Sequence, residues 1–296
     1  MPQAKSNGIQ LEYESFGRAS DRPLLLNMGL GVQMLQWDEG FCEALAARGQ
    51  YVIRFDNRDV GLSTKFDSAG VPDLASLMKP GADRSGVPYT LDDMADDAAG
   101  LIDALGLASA HIFGASMGGM IAQTVAYRHA AKTRSLVSLY SSTGNPAMPP
   151  ASPEAMAVLM APRPADRAGN IEAVVNAALV TGGPAYPVDP AYLRRRAALM
   201  YDRSFTPTAA ARHLAAVTAH GNRAPRLAAV TAPTLVIHGT ADPLVRVEGG
   251  RDTAKSIPGA ELVEIEGMGH GIPPQLWTRL ADMIAAHTQK AEAARV

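Results

Sequence analysis

Ile112-Phe113-Gly114-Ala115-Ser116-Met117-Gly118-Gly119 is the stretch whose reading decides the fold. Apolar residues lead in, small residues surround one hydroxyl, and a helix-like run from Met120 to Arg128 follows. That succession predicts a strand, a tight turn and a helix. A serine on a sharp strand-to-helix turn sits in strained backbone, and bulky side chains at Gly114 and Gly118 would collide with adjacent elements. The helix that starts at the turn offers free backbone N–H groups and a positive dipole end, a setting that suits an anion. Met117 supplies the first such N–H. A Gly-x-Ser-x-Gly pattern occurs by chance in many chains, so its weight comes from the strand before it and the helix after it.

The same alternation extends outward on both sides. Ile9–Glu14 alternates apolar and polar residues, the period-two pattern of a half-exposed strand at a sheet edge. Leu24–Leu26 and Tyr51–Phe55 are short continuous apolar runs, as strands buried on both faces require, with a helical pattern over about 41–48 between them. Residues 66–88 are rich in Gly, Pro, Ser and Asp and read as a surface excursion. Thr90 followed by Asp92 and Asp93 predicts a helix N-cap, and Gly106 the stop. Strands follow at 110–113, 135–140, 233–238 and 261–265, with helices at 247–256 and about 275–287 and a frayed tail from Gln289. Alternating strands and helices predict an α/β fold, a mostly parallel central sheet flanked by helices.

From Gly144 the character changes. Eight prolines between Pro149 and Pro190 punctuate helical segments with few strand-like runs. We read residues 145–225 as a helical cap inserted into a core formed by 1–144 and 226–296.

Composition bounds the partners. The chain has 296 residues, 47% of them hydrophobic, which is ample for a substantial core, and a net charge of -2. That balance gives no electrostatic case for nucleic acid or an anionic membrane surface. Cys42 is the only cysteine, so no intrachain disulfide and no cysteine-based metal site is available, and its place is inside a helix. No apolar run approaches the roughly 18 residues of a spanning helix, and residues 1–8 lack a secretory pattern, so a cytoplasmic protein is expected. Its expected partner is a small molecule, with room left for a homodimer.

A serine hydroxyl is a weak nucleophile that needs a base, and the base needs an orienting acid. Asp242 follows one expected strand and His270 the next, giving the order Ser116, Asp242, His270 at the ends of parallel strands, where ligands bind. Asp242 before Pro243 also suits a plain turn, whereas His270 between Gly269 and Gly271 is harder to explain by packing. His111 and His238 fall in expected strands and read as core. His129 reads as a complement to a helix C-terminus, and His213 and His220 in the cap have no evident partner. Asp56 and Asp59 are rival acids in a turn that reads as held by its own ion pairs and hydrogen bonds. A second oxyanion donor is expected from the loop after Leu24–Leu26, with Leu30 the choice beside Met117. Met28, Met148, Met156, Met160, Leu179, Met200, Tyr201 and Met268 are candidates for an adaptable apolar pocket, against the plainer reading that they are buried faces of helices. Arg194-Arg195-Arg196 reads as a solvated helix face.

These segments together resemble the α/β-hydrolase fold family over essentially the whole length. Asn27-Met28-Gly29-Leu30-Gly31 stands where that family often has His-Gly-x-Gly, with asparagine in place of histidine. Gly114–Gly118, Gly239–Pro243 and Gly267–Gly271 resemble its nucleophile, acid and base segments, and Phe55–Ser63 the loop after its fourth strand. The Met-Gly loop, the Arg-Asp-x-Gly-x-Ser turn and the Gly-Met-Gly-His segment look closest to bacterial carboxylesterases similar to aclacinomycin methylesterase. The resemblance implies ester hydrolysis without cofactor or metal. A carbon–carbon bond hydrolase, a cofactor-free haloperoxidase or an acyltransferase would use the same three residues, and a small-molecule receptor would keep the fold without turnover.

Overall fold

The computed structural model describes residues 2–79 and 81–294. Eight strands form one sheet in the order β1-β2-β4-β3-β5-β6-β7-β8. They are β1 (Gln3–Ser6), β2 (Ile9–Phe16), β3 (Arg22–Asn27), β4 (Gln50–Phe55), β5 (Ala110–Ala115), β6 (Thr133–Leu139), β7 (Thr234–Gly239) and β8 (Glu261–Ile265). β1 with β2 and β2 with β4 are antiparallel, and every other pairing is parallel.

Period two sorts the apolar runs between the two faces of this sheet. In β3, Leu24 and Leu26 join Val52, Phe113 and Val137 on one face, whereas Leu25 joins Ile53, Ile112 and Leu136 on the other. The first face is covered by α1 (Glu39–Ala46) and, from the chain's end, by Leu280 and Ile284. The second is covered through Met94 and Leu101 and through Ile121 and Val125. Burying each such side chain contributes roughly 1.5–3 kcal/mol. Cys42 is buried within α1, as expected, and burial pushes its thiol up to about 12.

The excursion at 66–88 carries one short helix, α2 (Leu74–Leu77). α3 (Leu91–Ala104) begins on the expected Thr90 cap, completed as a capping box by Asp93. α4 (Met117–Arg128) follows Ser116 directly. Between β6 and β7 lie α5 (Pro153–Met160), α6 (Arg167–Thr181), α7 (Pro190–Arg203), α8 (Ala209–His220) and α9 (Ala224–Leu227). Proline opens α5 and α7, at first-turn positions where its missing N–H costs nothing. α6 and α7 bury a small cluster of their own, Ile171, Val175 and Ala197. α10 (Val247–Ser256) precedes β8, and α11 (Trp277–Ala293) closes the described chain. Among the described residues no helix is long and apolar enough to cross a membrane.

Two expectations need correction. Ile9–Phe16 is not the edge strand: Asn7 and Gly8, both at positive φ, turn the chain so that Gln3–Ser6 covers it. The tail is also ordered to Ala293 rather than frayed from Gln289, because Ala291 is buried and Glu292 accepts hydrogen bonds from Arg134 at 2.8 Å and pairs with His111 at 3.1 Å.

Candidate active site

Ser116 occupies a backbone conformation that few side chains adopt, with φ +58° and ψ −124°. What forces it there is the crossing of β5 into α4 against β3. A β-carbon at Gly114 would lie 2.0 Å from Gly118 O, and one at Gly118 would lie 1.9 Å from Asn27 O. Neither neighbour is a flexible side chain, so both positions exclude anything larger than glycine.

Three strand ends bring Ser116, Asp242 and His270 together. His270 Nε2 lies 2.9 Å from Ser116 Oγ, and His270 Nδ1 lies 2.7 Å from Asp242 Oδ2. Because a carboxylate only accepts, Nδ1 carries the hydrogen and Nε2 faces the serine as a base. The other carboxylate oxygen, Asp242 Oδ1, accepts the N–H groups of Leu244 and Val245, each at 2.9 Å. Asp242 is thereby held from one side by backbone and aimed at the imidazole with the other.

Met117 opens α4 and so has no partner for its N–H within the helix. Among the described residues neither Met117 N–H nor Leu30 N–H donates a hydrogen bond inside the protein. The loop carrying Leu30 lies against the serine: a β-carbon at Gly29 would stand 3.3 Å from Ser116 Cβ. Asn27 does not brace this loop. Its Nδ2 reaches only Phe113 O, at 3.4 Å, and its Oδ1 is buried without a partner among the described residues. Instead Asn57 Nδ2 donates to Met28 O at 2.8 Å, and Gly31 N–H donates to His213 Nδ1 at 3.0 Å. His213 Nε2 donates in turn to Arg58 O at 2.9 Å, which settles its tautomer. Burial lowers the His213 pKa, in keeping with a neutral ring.

His213, expected to have no partner, therefore ties α8 to the loop beside Ser116. Only the fold reveals this, since 182 residues separate His213 from Gly31. The other histidines sort as follows. His111 and His238 are fully buried, His129 pairs with Asp96 at 2.6 Å, and His220 Nε2 lies 3.0 Å from Tyr127 Oη. The turn holds Asp56 and Asp59 by hydrogen bonds of its own, from Leu62 N–H at 2.8 Å and Phe66 N–H at 3.1 Å, but its ion pairs reach elsewhere. Asp56 pairs with Arg203 of α7 at 2.8 Å and Asp59 with Arg212 of α8 at 2.5 Å, while Arg58 pairs with Asp97 of α3 at 2.6 Å.

The end of α6 and the residues after it also grip the histidine loop. His270 N–H donates to Thr181 O at 2.8 Å, at the end of α6, and Ala185 N–H donates to Gly267 O at 3.3 Å. Here backbones touch, because a β-carbon at Gly183 would stand 2.1 Å from Gly267 O and 2.2 Å from Gly269 N.

Beside His270 lies a cavity of about 130 Å³, lined by Tyr140, Tyr186, Trp277 and Met200 among others. Tyr140 packs on the imidazole with ring centroids 4.5 Å apart, from a strained backbone at φ +36°. Burial raises its phenol pKa, so the hydroxyl stays protonated. Nothing in the sequence pointed to Tyr140. A second cavity, of about 90 Å³, shares Gln36, Val174 and Met200 with the first and reaches Gly31. Of the six methionines proposed for a pocket, Met200 lines both cavities, and Tyr201, proposed with them, lines the second. Met28 and Met268 are buried in the sheet's core, against Leu24 and Ile265, and Met148 lines neither cavity. Arg194 and Arg195 lie on a solvated face, Arg194 paired with the equally exposed Glu172 at 2.7 Å, whereas Arg196 turns inward to Asp38 at 2.5 Å.

Comparison with known proteins places the chain in a family. The alpha/beta hydrolase fold family matches residues 22–274. The rhodomycin D methylesterase DauP of Streptomyces sp. (strain C5) is 30% identical over 96% of both chains. Its counterpart DnrP of Streptomyces peucetius is 29% identical with the same coverage. Among solved structures, a meta-cleavage product hydrolase from Pseudomonas fluorescens IP01 superposes with a TM-score of 0.74 at 19% identity, over 98% of each chain.

Proposed function

The chain belongs to the alpha/beta hydrolase fold family, and from that premise we propose that it hydrolyses carboxylic esters through an acyl-enzyme on Ser116. The observation that carries the reading is the unbroken line Asp242–His270–Ser116, with separations of 2.7 Å and 2.9 Å. Ser116 Oγ attacks the ester carbonyl carbon while His270 Nε2 takes its proton. Asp242 holds the imidazole in the tautomer that presents Nε2 and stabilises the imidazolium as it forms. The N–H groups of Met117 and Leu30 receive the developing oxyanion, a contribution worth about 3–4 kcal/mol per donor in comparable sites. His270 then hands the proton to the leaving alcohol, and a water activated by the same nitrogen releases the acid.

The two methylesterase relatives support a methyl ester as the bond cleaved, with methanol leaving. Cavities of about 130 and 90 Å³ suit a small or medium apolar ester. Replacing Ser116 by Ala is expected to abolish turnover of p-nitrophenyl and methyl esters while the circular dichroism spectrum stays unchanged. Retention of more than a few per cent of kcat in folded Ser116→Ala would reject the acyl-enzyme.

A further inference from the structure

Among the described residues the buried and half-buried arginines each meet at least one partner, with one exception. Arg58, Arg203 and Arg212 each meet a carboxylate, and Arg223 is surrounded by Gln123 Oε1 at 3.2 Å and the carbonyl of Ser142 at 2.8 Å. Arg163, between α5 and α6, is different. It is partly buried and lines the second cavity, yet among the described residues it has no hydrogen-bond or ion-pair partner. Burial alone lowers its pKa, with no carboxylate near enough to oppose the effect. The cavity it lines holds no Asp or Glu, and its other polar lining is neutral: Gln33, Asn170, Ser204 and Thr206 among them. A guanidinium keeps its charge in any protein environment, so an unpaired, half-desolvated one is costly unless an anion arrives.

The position of that cavity says which part of a substrate would reach it. His270 has to deliver a proton to the leaving oxygen, so the alcohol side of the ester lies toward the first cavity, which His270 lines. The acyl side then runs past Leu30 toward Gly31 and the second cavity. We infer that Arg163 binds a carboxylate at the far end of the acyl chain, so that the preferred substrate is a half-ester of a dicarboxylic acid. This inference rests on the ester-hydrolase reading above. A planar carboxylate matches the guanidinium fork in a bidentate pair, which adds orientation to charge neutralisation.

The test uses monomethyl esters of glutaric to suberic acid against methyl esters of monocarboxylic acids of equal chain length, followed by proton release at constant pH. At the best length the half-ester should exceed its neutral homologue at least tenfold in kcat/KM. That ratio should fall ten- to a hundredfold in Arg163→Gln and be partly restored in Arg163→Lys. Equal kcat/KM for the two series at every length, or a ratio unchanged in Arg163→Gln, overturns the inference while leaving ester hydrolysis intact. If neither series is turned over, the ester-hydrolase reading fails. Calorimetric titration with the free dicarboxylates then still decides the role of Arg163. Binding lost in Arg163→Gln supports it, and absence of binding to the unmodified protein overturns it.

Discussion

Gly183→Ala tests whether the segment after α6 positions the proposed base. The methyl group would start 2.1 Å from Gly267 O and 2.2 Å from Gly269 N, against 3.4 Å for ordinary contact. About 1.3 Å of movement is needed, and both obstacles are backbone atoms that no rotamer change relieves. The histidine loop must yield, the end of α6 must yield, or both. Either way His270 is carried along, because its N–H is bonded to Thr181 O at 2.8 Å on the same segment. A displacement of about 1 Å at a reacting group costs on the order of 100-fold in rate. Overpacking itself costs about 1–3 kcal/mol. Gly183→Ala should therefore lose about 100-fold in kcat on p-nitrophenyl butyrate, with a modest fall in Tm. Gly271→Ala is the matched comparison, next to His270 but with nothing within 4 Å of its β-carbon, and should keep kcat within about threefold. If Gly183→Ala keeps wild-type kcat while Tm falls, the contact is structural only and the coupling argument is wrong.

Two further outcomes follow from the same structure. His213→Ala leaves Gly31 N–H without its acceptor and loosens the loop that carries Leu30, while Asn57 still holds Met28 O. A fall of about tenfold in kcat is expected, smaller than loss of an oxyanion donor itself, and an unchanged kcat in the folded variant refutes the bracing role. Stability should also fall in mild acid. Burial lowers the His111 pKa from 6.5 to about 4 and shifts His213, His238 and His287 in the same direction. Between those values the unfolded chain binds more protons than the native one, so stability is full above about pH 6.5 and drains as pH falls toward 4. Denaturant midpoints measured from pH 8 to 4.5 should be flat at first and then drop, and a midpoint constant down to pH 4.5 contradicts the burial argument.

What was legible in the sequence was whatever depends on neighbours along the chain. Apolar runs at Leu24–Leu26 and Tyr51–Phe55 marked buried strands, and Thr90 marked a helix start, because periodicity and capping act within a few residues. Ser116, Asp242 and His270 were nameable because a parallel sheet puts strand ends on one edge, so order along the chain implies proximity in space. The missed strand Gln3–Ser6 had its signal in Asn7-Gly8, a hairpin dipeptide.

The tertiary structure alone decided everything that joins distant segments. Partners 182 residues apart made His213 the support for Gly31, and left Asn27 outside that role. The same crossing seated Gly183 on the histidine loop, put Tyr140 against His270, and left Arg163 beside a cavity with no counter-ion among the described residues. The reaction centre is written in local turns that constrain their own residues. In α5–α9 the sequence specifies an apolar face but not the surface that face meets, so the cavities beside His270 and Gly31 emerge only when that packing is complete.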